Sequence, residues 1–223
     1  MFVRGKPAEP LGTAVVDALS KVQTSTLGHL RDYGFPRGLH PIRRPLGFVG
    51  TAFTVRLPHL DSTALHVAAD EVRPGDVLVV DQSGDGRSCF GGMVAHTADA
   101  RGAVGAVIAG SINDVDEILD LGFPVFSAGV SARTTRILGL EGSINVGVTV
   151  GGVVVNPGDV IFGDSDGVAV VGREEALEIA AVLAGKEAAE PELREKITVG
   201  AKLSDWSGAL ARFEAALTVD PIG

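Results

Sequence analysis

The sequence predicts an α/β fold in which parallel strands alternate with helices. Between residues 74 and 130, apolar strand-like runs and helical segments follow in the order strand, loop, helix, strand, helix, strand. This order is typical of a parallel sheet. The chain of 223 residues is 45% hydrophobic, with 30 glycines and only 5% aromatic residues. We therefore expect many tight turns and a core of Val, Ala, Leu and Ile.

The first third of the chain predicts a helical segment, a long strand and a short helix. Residues 11–33 carry apolar side chains at helical spacing, and Gly34 and Pro36 end the pattern. From Phe48 the run VGTAFTVRL is rich in residues that favour strands. A short helix is predicted from Leu65 to Val72, before the breaker pair Pro74-Gly75.

The middle of the chain carries the alternating pattern itself. PGDVLVVD at 74–81 predicts a turn and a buried strand, followed by a glycine-rich loop and a helix over 93–100. The strand AVIAG, the helix DVDEILDLG and the strand PVFSAG follow. Since the carboxyl ends of parallel strands meet at one edge of a sheet, ligands are expected at the loops that follow them.

After Ser143 the pattern becomes mostly β, and the chain ends in helices. Residues 173–197 are predicted to be helical, and Pro191 must end or kink that helix. A last amphipathic helix is predicted over 201–217. We expect a single domain over 1–223, with a core at about 48–171, an N-terminal helical segment at 11–33 and a C-terminal helical tail at 173–217.

The bulk numbers exclude several classes of function. A net charge of −9 disfavours nucleic-acid binding, although a bound metal ion can make an acidic protein attractive to an anionic metabolite. The single cysteine, Cys89, excludes an internal disulfide framework and a Cys-based zinc cluster. No apolar run reaches the roughly 18 residues of a membrane span, so we expect a cytoplasmic protein.

The stretch from Gly91 to Ile118 holds the candidate chemistry. A glycine pair opens a helix, and the strand after that helix ends in a turn that carries Asn113 and Asp114. Asp114 is the leading candidate for a metal ligand, and the helix start can hold an anion. The alternative is that Asp114 caps the helix beginning at Val115. The two roles are compatible if Asn113 provides the cap.

Other polar residues carry weaker signals. Asp81, Asp85 and Arg87 follow a buried strand, where a ligand site and a solvated loop are equally consistent with the pattern. The loop does not complete GxGxxG, and no P-loop motif occurs. His96 and Cys89 have no motif partners. Aspartates 164 and 166 fit a turn better than a cation site.

Several phrases resemble, in the same order, one protein family. They are PGDVLVVD, a glycine-rich loop, GG before a helix, ARGAVGAVIAGSINDVDEI, GFPVFSAG and GGVVVNPGDVIFGDSDGVAVV, from about Phe48 to Val171. The family contains the regulator of ribonuclease activity A and the class II, metal-dependent 4-hydroxy-4-methyl-2-oxoglutarate aldolase. The resemblance implies a layered α/β/β sandwich like the swivelling phosphohistidine domain, with C-terminal helices. It also implies homotrimers or hexamers with active sites between subunits.

The resemblance implies a site as well. In the aldolases, a hydrated Mg²⁺ or Mn²⁺ is held by the aspartate of a G-x-x-R-D phrase, which is Gly110 to Asp114 here. Backbone N–H groups of the helix start would bind the substrate carboxylate. A neighbour's carboxylate would join through water, and four residues of the C-terminal tail are candidates. The helix-start residues are Gly91, Gly92, Met93 and Val94, and the four tail candidates are Glu187, Glu190, Glu192 and Glu195.

The chain departs from the family pattern around this one pocket, which marks it as a divergent member. Asn113 replaces the arginine that binds the oxo acid, and it has neither the charge nor the guanidinium fork. Gly92 stands where the aldolases often have an acidic residue, and Ala109 replaces the aspartate of an Asp-Gly pair. Arg87 is our candidate for the missing positive charge.

Three hypotheses follow. The first is a metal-dependent carbon–carbon lyase, an aldolase or decarboxylase that acts on a small 2-oxo acid through a metal-stabilised enolate, with altered specificity. In it, Asp114 binds the metal, and Asn113 and Arg87 act on the substrate. The second is a non-enzymatic regulatory protein like the ribonuclease regulators. The third is a different metal-enolate reaction, such as dehydration or isomerisation.

Overall fold

The computed structural model describes residues 1–83 and 86–217, apart from the side chain of Ser83. The strands in chain order are β1 (Phe2–Arg4), β2 (His40–Pro41), β3 (Phe48–Pro58), β4 (Asp76–Ser83), β5 (Ser88–Phe90), β6 (Gly105–Ile112), β7 (Val125–Val130), β8 (Gly142–Ile144), β9 (Val148–Val150), β10 (Val153–Val155), β11 (Val160–Gly163) and β12 (Val168–Val171). The helices are α1 (Thr13–Leu19), α2 (Thr24–Gly28), α3 (Thr63–Glu71), α4 (Gly92–Ala100), α5 (Val115–Leu121), α6 (Ala176–Ala188), α7 (Glu190–Thr198), α8 (Leu203–Trp206) and α9 (Ala209–Ala216).

The central sheet has the predicted parallel core. Its main path runs β1-β8-β3-β4-β6-β7-β2, and β3, β4, β6 and β7 pair with one another in parallel. Strand β5 adds to the carboxyl end of β6, and the antiparallel pair β11–β12 joins β3. The carboxyl ends of β6 and β7 therefore lie side by side, next to β5.

The sheet is covered on both faces, which confirms the α/β/β layering. Alternate residues of β4 point to opposite sides: Leu78 and Val80 pack with α3, α4 and α5, whereas Val77 and Val79 pack with the small β9–β10 sheet. Strands buried on both faces read as continuous apolar runs, as VLVV does. A third cluster packs α1, α2 and α6 onto β11 and β12.

The N-terminal helical segment predicted over 11–33 consists of two short helices with a break between them. Helix α1 ends at Leu19, and α2 begins at Thr24. The carboxylate of Asp164 accepts hydrogen bonds from the N–H of Thr24 (2.7 Å) and from its hydroxyl (2.8 Å). A carboxylate at this point satisfies the start of a new helix. Asp164 also accepts from the N–H groups of Asp166 and Gly167, as the predicted turn requires.

The contacts divide the chain into two compact units, Met1–Leu183 and Ala184–Gly223. The predicted break near Pro191 is confirmed, since α6 ends at Ala188 and α7 begins at Glu190. The predicted continuous helix over 201–217 is wrong, because Gly208 adopts a left-handed conformation (φ 70°) between α8 and α9. The expectation of a single domain over 1–223 stays a prediction.

In the described part of the chain, every helix is too short or too polar to cross a membrane.

Candidate functional site

A cavity of about 390 Å³ lies where the carboxyl ends of the strands meet the start of α4. It is lined by β5, the turn after β6, the first turn of α4, the start of α3 and the segment after β7. Its lining residues are Ser62, His66, Ser88, Cys89, Gly91, Met93, Val94, Asn113, Asp114, Thr134, Thr135, Arg136 and Ile137. The predicted residues Gly91, Met93, Val94, Asn113 and Asp114 are thus brought together around one cavity.

Asp114 reaches across to α4 instead of capping its own helix. It occupies the N-cap position of α5, yet its side chain makes no cap hydrogen bond. Its Oδ2 accepts a hydrogen bond from the N–H of Gly92 at 3.1 Å. The capping interpretation of Asp114 is therefore wrong, and its carboxylate belongs to the cavity.

The backbone of Asp114 is in the left-handed region, with φ 52° and ψ 42°. This conformation is uncommon for a residue with a side chain, although Asp tolerates it better than most. Such strain is most often found at functional sites. The turn after β6 thus accepts an unfavourable conformation and turns the carboxylate towards α4.

Asn113 is held by β5. Its side-chain Oδ1 accepts a hydrogen bond from the hydroxyl of Ser88, and its N–H donates to the carbonyl of Phe90 at 3.0 Å. The idea that Asn113 caps α5 is therefore wrong. A fixed Oδ1 leaves the amide Nδ2 as the donor that Asn113 presents.

The glycine pair before α4 permits close approach of these side chains. A Cβ on Gly91 would lie 2.7 Å from both Asn113 Nδ2 and Asp114 Oδ2. A Cβ on Gly92 would overlap the carboxylate of Glu117, in the first turn of α5. Glu117 therefore occupies the space beside α4 where Gly92 has no side chain. No sequence motif predicts this contact, because it depends on how α4 packs against α5.

Arg136 lines the cavity, and the sequence interpretation missed it. Its backbone N–H donates to the carbonyl of Leu60 (2.8 Å), and its carbonyl accepts from the N–H of Ser62 (2.8 Å). Its Nη1 donates at 3.0 Å to the carbonyl and hydroxyl of Thr134 and to the carbonyl of Thr135. The rule applied to Asn113 and Asp114, that polar residues after a parallel strand gather at one edge, would also have pointed to SARTTR after β7.

Arg87 and Cys89 lie on either side of Ser88 and differ in environment. Arg87 is outside the group of residues that line the cavity, and its carbonyl accepts a hydrogen bond from Gln82 Nε2 (2.8 Å). Burial raises the pKa of the Cys89 thiol to about 12, so it stays protonated and unreactive. His96 lies outside this cavity, in a neighbouring depression with Glu117. Asp85 falls outside the described residues.

Comparison with known proteins identifies the family. A family model described as RraA-like: Aldolase/RraA matches residues 13–170. The chain belongs to this family. A protein of Halalkalibacterium halodurans named "Putative 4-hydroxy-4-methyl-2-oxoglutarate aldolase" is 37% identical over 161 residues, which cover 71% of this chain and 75% of that protein.

Solved structures support the same assignment. An uncharacterized protein from Pseudomonas syringae has a TM-score of 0.76 at 28% identity, with 90% of this chain and 97% of that chain covered. Streptomyces coelicolor RraAS2, described as an unusual member of the RNase ES inhibitor RraA protein family, has a TM-score of 0.73 at 29% identity, with 87% and 100% covered. The fold and the family predicted from the sequence are confirmed.

The donor set of this Aldolase/RraA family member fits a hydrated, oxygen-preferring cation. In the part of the chain that the structure describes, no three or more His, Cys, Asp or Glu residues form a group able to enclose a metal. Mg²⁺, however, usually keeps several waters and takes only one or two carboxylates. Asp114 offers such a carboxylate at the cavity, and the carboxylate of Glu117 lies close to Gly92.

The glutamates of the C-terminal tail lie in α6 and α7. Glu190 pairs with Arg194 and Glu192 with Lys196, each at 2.7 Å and one helical turn apart. The hydrogen bond and charge of Lys196 lower the pKa of Glu192. Both pairs are exposed, so they contribute little to stability. The participation of Glu187, Glu190, Glu192 or Glu195 in a neighbouring site stays a prediction.

Proposed function

We propose that this protein is a divalent-metal-dependent carbon–carbon lyase, of the aldolase or decarboxylase type, that acts on a small 2-oxo acid. The observation that carries the proposal is the Asp114 carboxylate, which leaves its own helix uncapped and meets the N–H of Gly92 at 3.1 Å. Mg²⁺ or Mn²⁺ is the cofactor that this donor chemistry suits.

In this proposal, the start of α4 binds the carboxylate of the substrate. The first N–H groups of a helix have no partners within the helix, and the helix dipole favours an anion there. Met93 and Val94 provide such groups, whereas the N–H of Gly92, also predicted to bind the substrate, donates to Asp114 Oδ2 at 3.1 Å and so holds the proposed metal-binding carboxylate beside them. Gly91 keeps the approach open, because a Cβ there would crowd Asp114 Oδ2 at 2.7 Å.

Cleavage beside a 2-oxo group leaves negative charge on the oxo oxygen, which must be stabilised. The metal ion, when bound at Asp114, supplies Lewis-acid polarisation of that oxygen. Asn113, whose Oδ1 is held by Ser88, offers its amide Nδ2 as a neutral hydrogen-bond donor. A neutral donor stabilises an anion less than a guanidinium does, so we propose that specificity differs from that of relatives with arginine at this position. The role of Arg87 as a supplementary charge remains part of the proposal.

The proposed active unit is a homotrimer or hexamer in which a tail glutamate of one subunit joins the site of another. Sedimentation of the purified protein tests the assembly. A monomer at micromolar concentration, with metal binding intact, would contradict this part of the proposal and leave the metal site standing.

The first test is calorimetric titration with Mg²⁺ and Mn²⁺, with and without oxalate as a mimic of the charged intermediate. We expect metal binding that oxalate tightens, and we expect Asp114→Ala to abolish it, since the one ligating carboxylate is gone. Asp116→Ala is the matched control, because it removes an exposed carboxylate from the same first turn of α5. Circular dichroism should show an intact fold in both variants. Unchanged metal affinity in Asp114→Ala would contradict the proposed metal site and the lyase function that depends on it.

Regulatory binding is the second candidate, and the likeness to RraAS2 from Streptomyces favours it. Loss of the family arginine at Asn113 agrees with a fold that has given up catalysis. In that case the wild-type protein would bind no metal and cleave no 2-oxo acid, and a stoichiometric protein partner would be recovered from cell extract. A different metal-dependent reaction, dehydration or isomerisation, would instead keep the metal binding and fail the cleavage assay.

A further inference from the structure

Arg136 carries the one Lys or Arg side chain among the residues that line the described cavity. The protein as a whole has a net charge of −9, so an anion approaching it meets repulsion on average. A fixed positive charge at the site would add to the attraction that a bound metal ion exerts on an oxo acid. Neither Asn113 nor the α4 glycines carry such a charge.

The guanidinium of Arg136 is oriented before any ligand arrives. Its Nη1 donates at 3.0 Å to three oxygens of its own segment, on Thr134 and Thr135. Its backbone is bonded at both ends to the turn Leu60–Ser62. Orientation in advance reduces the entropy lost when a side chain binds a ligand.

No carboxylate pairs with Arg136 within the described chain. Ion pairs such as those of Arg31 with Glu175 and of Arg73 with Asp76 have no counterpart at Arg136. The remaining guanidinium donors, on Nη2 and Nε, have no partner among the described residues. An oriented, exposed arginine without its own acid can accept a carboxylate from outside.

Ser88 connects Arg136 to the site. The N–H of Thr135 donates to the Ser88 carbonyl at 2.8 Å, and the N–H of Ser88 donates to the carbonyl of Arg133 at 2.7 Å. The hydroxyl of Ser88 donates to Asn113 Oδ1. Ser88 therefore holds both Asn113, which stands in place of the family arginine, and the segment that carries Arg136.

We propose that Arg136 binds an anionic oxygen of the substrate and thereby supplies the positive charge that Asn113 lacks. It is a substrate-binding residue that determines affinity for the acid group. This inference rests on the proposed lyase function. Compared with the family pattern, the positive charge lies on the segment after β7 instead of the turn after β6. Both positions are at the same edge of the sheet.

The experiment measures Mg²⁺ and oxalate binding by calorimetry in wild-type protein, Arg136→Met and Arg136→Lys. We expect Arg136→Met to weaken oxalate binding by about tenfold to hundredfold, the usual worth of a charged hydrogen-bonded pair, and to leave Mg²⁺ affinity within about threefold. Lysine keeps the charge without the fork, so Arg136→Lys should recover part of the affinity. In turnover with oxaloacetate, KM should rise while kcat changes little, since the interaction exists before the chemical step.

Arg101→Met is the matched control, because Arg101 is exposed at the far end of α4 and lies outside the cavity. Equal oxalate affinity in wild-type protein and Arg136→Met would overturn the inference while leaving the metal site intact. So would a larger loss in Arg87→Met than in Arg136→Met, which would return the role to Arg87. A wild-type protein that binds neither Mg²⁺ nor oxalate would overturn the proposed function and this inference together.

Discussion

At the scale of single residues, Asn113 and Arg136 have the same proposed role, which is to bind an anionic oxygen of the substrate. Asn113 offers a neutral amide held by Ser88, and Arg136 offers a charge held by the neighbouring threonines. Two residues that contact the same ligand do not contribute independently to its binding. Their coupling is therefore measurable as a double-mutant cycle.

We expect Asn113→Arg to recover at least about tenfold of the oxalate affinity that Arg136→Met loses, because it restores a guanidinium at the same cavity. In wild-type protein the same substitution should increase oxaloacetate decarboxylation. Calorimetry and steady-state rates for the two single variants and the double variant provide the cycle. Strictly additive effects would mean that the two positions bind different groups of the ligand.

At the scale of elements, the segment after β7 is shaped by one buried carboxylate. Asp61 is only 2% exposed and accepts hydrogen bonds from the N–H groups of Leu138 (3.1 Å), Leu140 (2.7 Å) and Glu141 (3.1 Å). It also accepts from the N–H and hydroxyl of Thr63 at the start of α3. Asp61 therefore ties the segment that carries Arg136 to the end of β3.

The hydrogen bonds of Asp61 give a prediction for pH. Burial by itself raises the pKa of Asp61, but the hydrogen bonds from Thr63, Glu141 and Leu140 outweigh it, and the net pKa lies well below the ordinary value. A pKa lowered by folding contributes stability that is complete above the unfolded pKa of about 4 and is lost as the pH falls further. We expect Asp61→Asn to lower the free energy of unfolding by about 2 kcal/mol at pH 7.

Urea denaturation from pH 7 down to pH 2 measures this effect. The difference between wild-type protein and Asp61→Asn should shrink as the pH falls below about 4, because the Asp61 carboxylate of the unfolded wild-type chain then takes up a proton, which favours unfolding. Asp70→Asn is the control, since Asp70 is exposed. A difference that stays constant over the whole range would show that the charge of Asp61 is not what stabilises the segment.

The sequence could predict those elements that local pattern determines. Strands β4, β6 and β7 were found because their apolar runs are bounded by glycine and proline, and their parallel order followed from the helices between them. The segment of Arg136 could not be placed in this way. Its position depends on Asp61 and Ser88, which are distant along the chain. The same holds for Glu117, which meets Gly92 only because α4 and α5 pack together.

At the scale of the whole molecule, the site residues Asp114 and Arg136 belong to the unit Met1–Leu183, whereas α7 belongs to Ala184–Gly223. Leu183 is the last buried side chain of α6, and α7 to α9 bury none. Helices without a fully buried side chain gain little stability from packing within their own chain. We therefore propose that the tail glutamates act in the assembled molecule.

The combined substitution of Glu190, Glu192 and Glu195 by Gln tests that assignment in the full chain. We expect Mg²⁺ affinity to fall about tenfold, the usual cost of losing an outer carboxylate of a metal site. Sedimentation and unfolding should change little, because the ion pairs lost with Arg194 and Lys196 are exposed and contribute little to stability. Glu178→Gln, on α6, is the control. If Mg²⁺ binds the triple variant as tightly as the wild-type protein, the metal site is complete within one subunit, and assembly serves some other purpose than metal binding.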